Sequence, residues 1–353
     1  MTWPKVSIIW LNHNSMKILP LVLQSLESIA SVDYPSDRFE LIVVVDNGST
    51  DGSFERVREF VERRSSLRKK IIKLDRNLGF TGGNNIGFMA RDRESKYVLL
   101  INNDAVLLQH GLKTLVKYAE NFERLGDLQG VVLQYGTRVI DSAGDFLDEL
   151  LRPYSLGSGH EYPWILRRPI YVTYVDGAVA LFRVESVLRC VGSKLFIDEL
   201  FAYYDDNSLC LLLWGCGYPS ISVPEAVAYH ARSSTFKGMS FSYIYLPARN
   251  RIALMLVSNS RYRQALLLHM LRNVATSLLG SGSEVSKALA RAFVDGVRLG
   301  RILRRRGLFI DLYKVPIIRV DPKELIHLFT SKHIAKSRYS KSIARKIEQL
   351  IAS

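Results

Sequence analysis

Thiols are scarce in this chain of 353 residues: Cys190, Cys210 and Cys216 are the whole complement, and no two of them stand as C-x-x-C. An odd, sparse set of this kind excludes a disulfide framework and a zinc ribbon, and it points to a reducing compartment with the three thiols in the core. Apolar runs of membrane-spanning length are also missing. Residues 6–11 are apolar but stop at Asn12-His13-Asn14, short of a secretory signal core and of the roughly 20 residues a span needs. A cytoplasmic protein is expected. Internal repeats and low-complexity tracts are absent, and no glycine-rich, Lys- or Arg-bearing loop follows the first apolar segment, where residues 11–15 stand instead. Acidic residues thin out toward the end of the chain. Residues 232–353 hold 23 Lys+Arg against 6 Asp+Glu, or +17, while residues 1–231 hold 25 against 28, or −3. The basic surface is therefore a C-terminal property. A chain of this length exceeds one typical core, which implies two domains or one domain with an appendage.

What is present in the first half is an alternation of strand and helix signals. Residues 6–10, 40–45, 70–74 and 97–101 read as strands. Residues 16–29, 53–62 (behind a possible Ser53 cap), 81–91 and 111–122 read as helices. Short connections between such units predict an α/β fold with a parallel, doubly wound sheet. The central stretch is Tyr97-Val-Leu-Leu-Ile-Asn-Asn-Asp104, an apolar run that ends in three polar side chains. A strand buried on both faces ends this way at a ligand edge, since ligands collect outside the carboxyl ends of parallel strands.

Two glycine-rich polar loops fall at other strand ends. The first runs from Asp46 to Ser53 and the second from Arg76 to Asn85. Glycines permit tight turns, carboxylates accept hydrogen bonds from a base or ribose, and an Arg before a helix N-terminus suits a diphosphate. Ordinary turns use the same residues, so each loop alone is weak; both at one edge beside Asn102-Asn103-Asp104 carry more weight. In the second half, Asp205-Asp206 precedes an apolar helix-like segment at 209–214. Adjacent carboxylates there also read as a helix cap. His230 closes the strand-like run 223–230 and precedes Ser233-Ser234-Thr235; a lone histidine after a strand is more often structural.

Taken in order, V-S-I-I-W-L-N-H-N, D-N-G-S-T-D-G-S, R-N-L-G-F-T-G-G-N-N-I-G, I-N-N-D, V-D-G-A and F-A-Y-Y-D-D-N-S-L resemble the motifs of the family 2 glycosyltransferases. The resemblance covers about residues 4–235, and the subgroup with rhamnosyl- and galactofuranosyltransferases is the most similar. It implies a GT-A fold and a metal-dependent, inverting transfer of a sugar from a nucleoside-diphosphate sugar to a hydroxyl of a saccharide or polyprenyl-linked saccharide. It implies a catalytic domain at 1–235, divided near residue 105 into a nucleotide-sugar half and an acceptor half, followed by a basic, mainly helical region at 236–353. Asp46 would hold the base beside Asn12 and Asn14. His13 would be a pocket wall. Arg76, Asn77, Gly79 and Asn84 would line the nucleoside pocket.

By the same resemblance Asn102-Asn103-Asp104 takes the place of the D-x-D motif. Asn102 and Asn103 would face the nucleotide sugar, and Asp104 would hold Mg2+ or Mn2+ with His230. Asp176, Gly177 and Ala178 would form the acceptor turn. Asp206 would be the general base, with Asp205 its neighbour; Ser208 departs from the family's further acidic residue.

Two other readings of the residues remain open: a nucleotidyltransferase, and a non-catalytic nucleotide-sugar or nucleic-acid binding protein. Against nucleic acid, the tail's charges lie among Leu, Ile and Val at helical spacing, without interleaved aromatics. Arginines interrupt the apolar stretch 243–279, so spanning is not expected. The stretch 283–306 reads as a helix with Leu289, Phe293, Val297 and Ile302 near one face among many basic residues. A solvated basic appendage is one reading of it; the +17 concentration favours the other, a peripheral contact with the inner face of an anionic membrane.

Overall fold

The computed structural model describes residues 2–232, 241–280, 283–329 and 333–352, so the expected break at 235 and Ser233-Ser234-Thr235 fall outside the described residues. In chain order come β1 (Val6–Leu11), α1 (Leu19–Ala30), β2 (Phe39–Asn47), α2 (Ser53–Glu62), β3 (Lys69–Leu74), α3 (Gly79–Ala90), β4 (Tyr97–Asn102), β5 (Ala105–Leu107) and α4 (Gly111–Ala119). Then follow β6 (Asp127–Gln134), β7 (Ile140–Ser142), β8 (Asp145–Leu147), β9 (Pro153–Ser155), β10 (Ile170–Val172), β11 (Val179–Arg183), α5 (Val184–Cys190), α6 (Asp205–Gly215) and β12 (Ser220–His230). The last five helices are α7 (Phe241–Val257), α8 (Arg263–Gly280), α9 (Ser283–Arg305), α10 (Pro322–Phe329) and α11 (His333–Ala352).

The chain divides into two units, residues 1–144 with 157–235, and residues 145–156 with 236–353. A single break at 235 would leave 145–156 in the first unit; the structure counts it with the second. In that unit β8 and β9 form a hairpin, and Asp148 gathers the Leu150 and Arg152 N–H groups with the Tyr154 and Tyr339 hydroxyls. A buried carboxylate with four donors anchors the segment because each lost bond would leave a buried charge short of partners.

The first unit is built on one mixed sheet in the order β10-β12-β6-β11-β4-β1-β2-β3. Strands β4, β1, β2 and β3 are parallel neighbours, as are β6 and β12, while β11 is antiparallel to both β4 and β6. The mainly parallel, doubly wound expectation therefore holds. Burial explains the central strands: Ile8, Ile9 and Trp10 of β1 and Tyr97 to Ile101 of β4 are all buried, as a strand covered on both faces requires. Helices α1 and α2 each bury one stripe, Val22, Leu26 and Ile29 on the first and Phe54, Val57 and Val61 on the second, in the same core cluster. Burial of each such side chain is worth about 1.5–3 kcal/mol. Trp10 Nε1 donates to Ser25 Oγ at 3.0 Å, which ties α1 to the strand beneath it.

Some local expectations change. Ser53 is the first helical residue of α2 and Gly52, at φ +82°, is its N-cap; the Ser53 hydroxyl instead accepts from Asn12 Nδ2 and the Ser15 N–H, both at 3.3 Å. Of the three thiols expected in the core only Cys210 is buried, and Cys216 at the end of α6 is exposed. Helix α4 stops at Ala119, short of 122. The second unit is helical apart from the hairpin and isolated bridges. Gly296 and Gly300 of α9 let α7 approach so closely that a Cβ would lie 2.7 Å from the Arg249 carbonyl and 2.8 Å from the Leu256 side chain.

Candidate active site

At the carboxyl edge of β1 and β2 the two loops are fastened to each other. Asn47 donates to the Gly79 carbonyl at 2.8 Å and accepts the Leu78 N–H at 2.7 Å. Gly48, at φ +76°, lies so near the second loop that a Cβ would meet Asn77 N at 2.5 Å. Asp46 sits in a β-bulge: pairing of β2 with β3 skips from Val45 to Asn47, and Asp46 adopts φ 67°. Bulges re-aim side chains beside binding sites. Its carboxylate is buried, with Oδ1 accepting the Ser49 N–H at 2.7 Å and Oδ2 left with no partner among the described residues. A buried carboxylate oxygen without a donor is costly unless a ligand completes it.

The neighbouring groups divide between wall and scaffold. Asn12 is fully buried, held by Ser53, Ser15 and Asn103. Asn14, at φ 44°, accepts the Thr50 N–H at 2.8 Å. His13 Nε2 pairs with Asn77 Nδ2 at 3.1 Å, and Asn77 Oδ1 accepts the Gly79 N–H at 2.7 Å. Arg76 is exposed at the loop's start. Asn84 is buried in α3 and spends its amide on the Phe80 carbonyl one turn back.

The centre of the edge is assembled by strand register. After β4 ends at Asn102, the chain turns through Asn103-Asp104 and β5 pairs with β12, setting Ala105 opposite His230. This places His230 Nε2 3.2 Å from Asp104 Oδ1. Strand β12 lies on β6, β6 carries β7, and Asp141 of β7 reaches His230 Nδ1 at 2.9 Å; Asp141 also pairs with Arg232. Burial alone lowers the imidazole pKa, but the Asp104 and Asp141 hydrogen bonds outweigh it and raise the value to about 10.

A histidine oriented by one carboxylate and facing a second could give a divalent ion two protein ligands once its Nε2 has lost its proton. Asp104 and His230 fit as two protein ligands. Among the described residues there is no group of three or more His, Cys, Asp or Glu side chains able to hold a metal.

The turn Asp176-Gly177-Ala178 links this centre to the acid pair. The Ala178 carbonyl accepts the Asn102 N–H at 2.9 Å, and the Gly177 N–H donates to Asp206 Oδ2 at 3.3 Å. Asp176 Oδ1 accepts the Ala178 N–H at 2.9 Å, and its own N–H donates to Gln129 Oε1 at 2.7 Å. Asp205 and Asp206 open α6 as its first two residues behind Tyr204 as N-cap, so neither occupies the capping position. Asp205 is buried and Asp206 half-buried. Burial, reinforced by Asp176, pushes the Asp205 carboxyl up to about 7. Burial, then Asp205 and Asp176, holds Asp206 well above the usual carboxylate range.

The segment before the pair is strained. Phe201, Tyr203 and Tyr204 have φ of 66°, 67° and 62°, unusual for bulky side chains and costing about 1–3 kcal/mol each. It is braced on the second loop: the Phe201 carbonyl accepts the Thr81 N–H at 3.1 Å and lies 2.3 Å from where a Gly79 Cβ would stand. Gly79 is thus the point where the loop after β3 and the acid-bearing segment touch.

Of the singled-out residues, Asn12, Asn14, Asp46, Asn77, Gly79, Asn102, Asn103, Asp104, Asp176, Gly177, Ala178, Asp206 and His230 make the bonds described above, while Arg76 is exposed, Asn84 bonds within its own helix and Asp205 is buried beside Asp206. Sequence reasoning missed Asn47, Gln129 and Asp141. Asn47 lies within a quoted motif and was open to notice; Asp141 and Gln129 sit in β7 and β6 with no local signal, and only sheet register reveals them.

Residues 7–170 match the family model described as Glycosyl transferase family 2. A Bacillus subtilis protein described as a probable glycosyltransferase, YdaM, is 24% identical over 240 residues, 66% of this chain and 52% of its own. The poly(ribitol-phosphate) beta-N-acetylglucosaminyltransferase TarS of Staphylococcus aureus is 30% identical over 117 residues, 33% of this chain and 19% of its own. The chain spans about half the length of the first relative and about a fifth of the second.

Among solved structures, a Pyrobaculum calidifontis mannosyltransferase in complex with GDP-Man and Mn2+ aligns with a TM-score of 0.54 and 18% identity, covering 87% of both chains. GalNAc-T7 with UDP, GalNAc and Mn2+ aligns at 0.60 and 15%, covering 87% of this chain and 58% of that one. S. aureus TarS 1–349 with UDP-GlcNAc aligns at 0.52 and 17%, covering 98% and 90%. At these identities the likeness establishes the fold, which is GT-A-like with C-terminal helices.

Proposed function

We propose that this chain, whose residues 7–170 match the glycosyl transferase family 2 model, is a metal-dependent inverting glycosyltransferase that takes a sugar from a nucleoside-diphosphate donor. The observation that carries the reading is the meeting of Asp104 and His230 at 3.2 Å, in a fold that also leaves an Asp46 oxygen unsatisfied and bonds Asp206 to the Gly177 turn. Asp46 is the base-recognition group, and Asn14, His13, Asn77 and Arg76 border the nucleoside; Asn12, Asn84 and Gly79 support that pocket from within. Asp104 and His230 hold Mg2+ or Mn2+, with Asn102 and Asn103 beside the sugar phosphate. When bound, the ion supplies positive charge to the departing diphosphate.

Asp206 is the base. It is the more accessible of the two carboxylates, and Asp205, buried behind it, keeps its proton affinity high. As the acceptor oxygen bonds to the anomeric carbon, its proton passes to Asp206. The bond from that carbon to the phosphate oxygen breaks on the opposite face, and the nucleoside diphosphate leaves with inversion. Asp176, Gly177 and Ala178 position the acceptor. The motif set that resembles the rhamnosyl- and galactofuranosyltransferase subgroup supports a hexose or deoxyhexose. The basic, helical second unit supports an acceptor presented at a membrane surface, such as a polyprenyl-linked saccharide on the cytoplasmic face. No helix among the described residues is long and apolar enough to cross a membrane.

Calorimetric binding of UDP, dTDP and GDP with and without Mg2+ or Mn2+ tests the reading. One nucleotide should bind at least tenfold more tightly with metal, and Asp104→Ala should remove that gain. Metal-independent binding that Asp104→Ala leaves unchanged would contradict it.

A further inference from the structure

Helix α9 packs one face inward and leaves the other uncovered. Its inner face is Ala288, Ala292, Gly296, Leu299, Gly300 and Leu303, all buried. The opposite face carries a shallow groove of about 670 Å³ lined by Phe293, Val294, Val297, Arg298, Arg301, Ile302 and Arg305. Val294 is 65% exposed and Ile302 37%, and the three arginines are exposed beside them. None of the three has an ion pair among the described residues, and the nearest acid in sequence, Asp295, is drawn aside by Tyr245 and Arg291. The stripe from Phe293 to Arg305 is roughly 18 Å long.

We propose that this face of α9 is the surface by which the protein lies on an anionic lipid bilayer, with Val294, Ile302 and their half-buried neighbours entering the headgroup boundary and Arg298, Arg301 and Arg305 pairing with lipid phosphates. The proposal rests on the membrane part of the function given above and names the surface responsible. The chemistry selects lipid over other polyanions. A phosphate backbone would satisfy the arginines but leave Val294 and Ile302 in water, whereas a bilayer interface accepts both, and long arginine side chains reach from an apolar level to a charged one.

Three arginines at about 1 kcal/mol each give salt-sensitive attachment without insertion. The inner face is occupied by α7, with Gly296 and Gly300 against Ile252 and Leu256, so the helix is held with its basic side outward.

The test is sedimentation of the full chain with vesicles of phosphatidylcholine alone or mixed with phosphatidylglycerol, at low and high salt. Wild type, Arg298→Glu/Arg301→Glu/Arg305→Glu, and Val294→Ser/Ile302→Ser are compared, with circular dichroism and nucleotide binding as checks on folding. Wild type should sediment only with the anionic vesicles and be released by salt. The charge-reversed variant should partition roughly a hundredfold less, and the serine variant should bind more weakly at every salt concentration.

If wild type ignores anionic vesicles, the membrane reading and the proposal both fail. If wild type binds and the variants bind equally, the membrane contact stands and this surface is the wrong one. Salt-reversible binding to duplex DNA without vesicle binding, or a change in sedimentation coefficient of the serine variant without lipid, would hand the surface to nucleic acid or to a second copy and overturn it. Donor hydrolysis without vesicles tests the transferase reading separately.

Discussion

Asp206 and Asp127 are both carboxylates on high proton affinity, and they make opposite predictions. Asp206→Asn keeps size and most hydrogen bonding but cannot take a proton, so transfer should fall roughly 10²- to 10⁴-fold with nucleotide binding intact. Because burial, then Asp205 and Asp176, holds Asp206 well above the usual carboxylate range, wild-type turnover at saturating donor should rise only at a pH above the range an ordinary carboxylate would require. An active Asp206→Asn with a dead Asp205→Asn would exchange the two roles.

Asp127 is fully buried at the start of β6, and burial, only partly offset by the Ser220 and Cys210 side chains beside it, lifts it to about 7. Its native form binds a proton more tightly than the unfolded chain does, so its contribution is fully present below about pH 4 and is lost as pH rises to about 7. Asp127→Asn should therefore stabilise more at pH ~8 than at pH ~5, by on the order of 2–3 kcal/mol, read from denaturant midpoints. An equal effect at both pH values would show that Asp127 is not titrating in the fold. At this scale Asp104 and His230 were singled out by their place in the order of motifs, while Asp141 was not, since nothing near it in sequence marks a partner 89 positions away.

Elements were more legible than contacts. The alternation of apolar strands and amphipathic helices up to residue 119 follows from side-chain period alone. The mixed half of the sheet does not, because β5, β7 and β10 are three residues each and give periodicity too little length. Nor does sequence disclose that the loop after β3 carries the acid segment through Gly79. Gly79→Ala combines φ +75° with a Cβ 2.3 Å from a backbone carbonyl, so it should destabilise by more than about 1–3 kcal/mol and depress transfer together. Gly136→Ala, at φ +73° with nothing within 4 Å, isolates the backbone cost of about 1–2 kcal/mol. Comparable melting and activity for the two variants would mean the loop does not brace the acid pair.

For the whole molecule, the charge split is open to any reader of the sequence, with +17 in the last 122 residues. The membership of residues 145–156 in the second unit depends on Asp148 meeting Tyr339, 191 positions later, and no composition shift announces it. The central claim is that the edge formed by Asp46, Asp104, His230 and Asp206 binds and activates a nucleoside-diphosphate sugar through a divalent ion. Hydrolysis of UDP-, dTDP- and GDP-sugars by the purified chain, with Mg2+ or Mn2+ and after chelation, tests it most directly. The account predicts slow release of one nucleoside diphosphate that chelator abolishes, metal restores and Asp104→Ala removes. Absence of hydrolysis with every donor and both metals, or release that persists unchanged in Asp104→Ala, would contradict it.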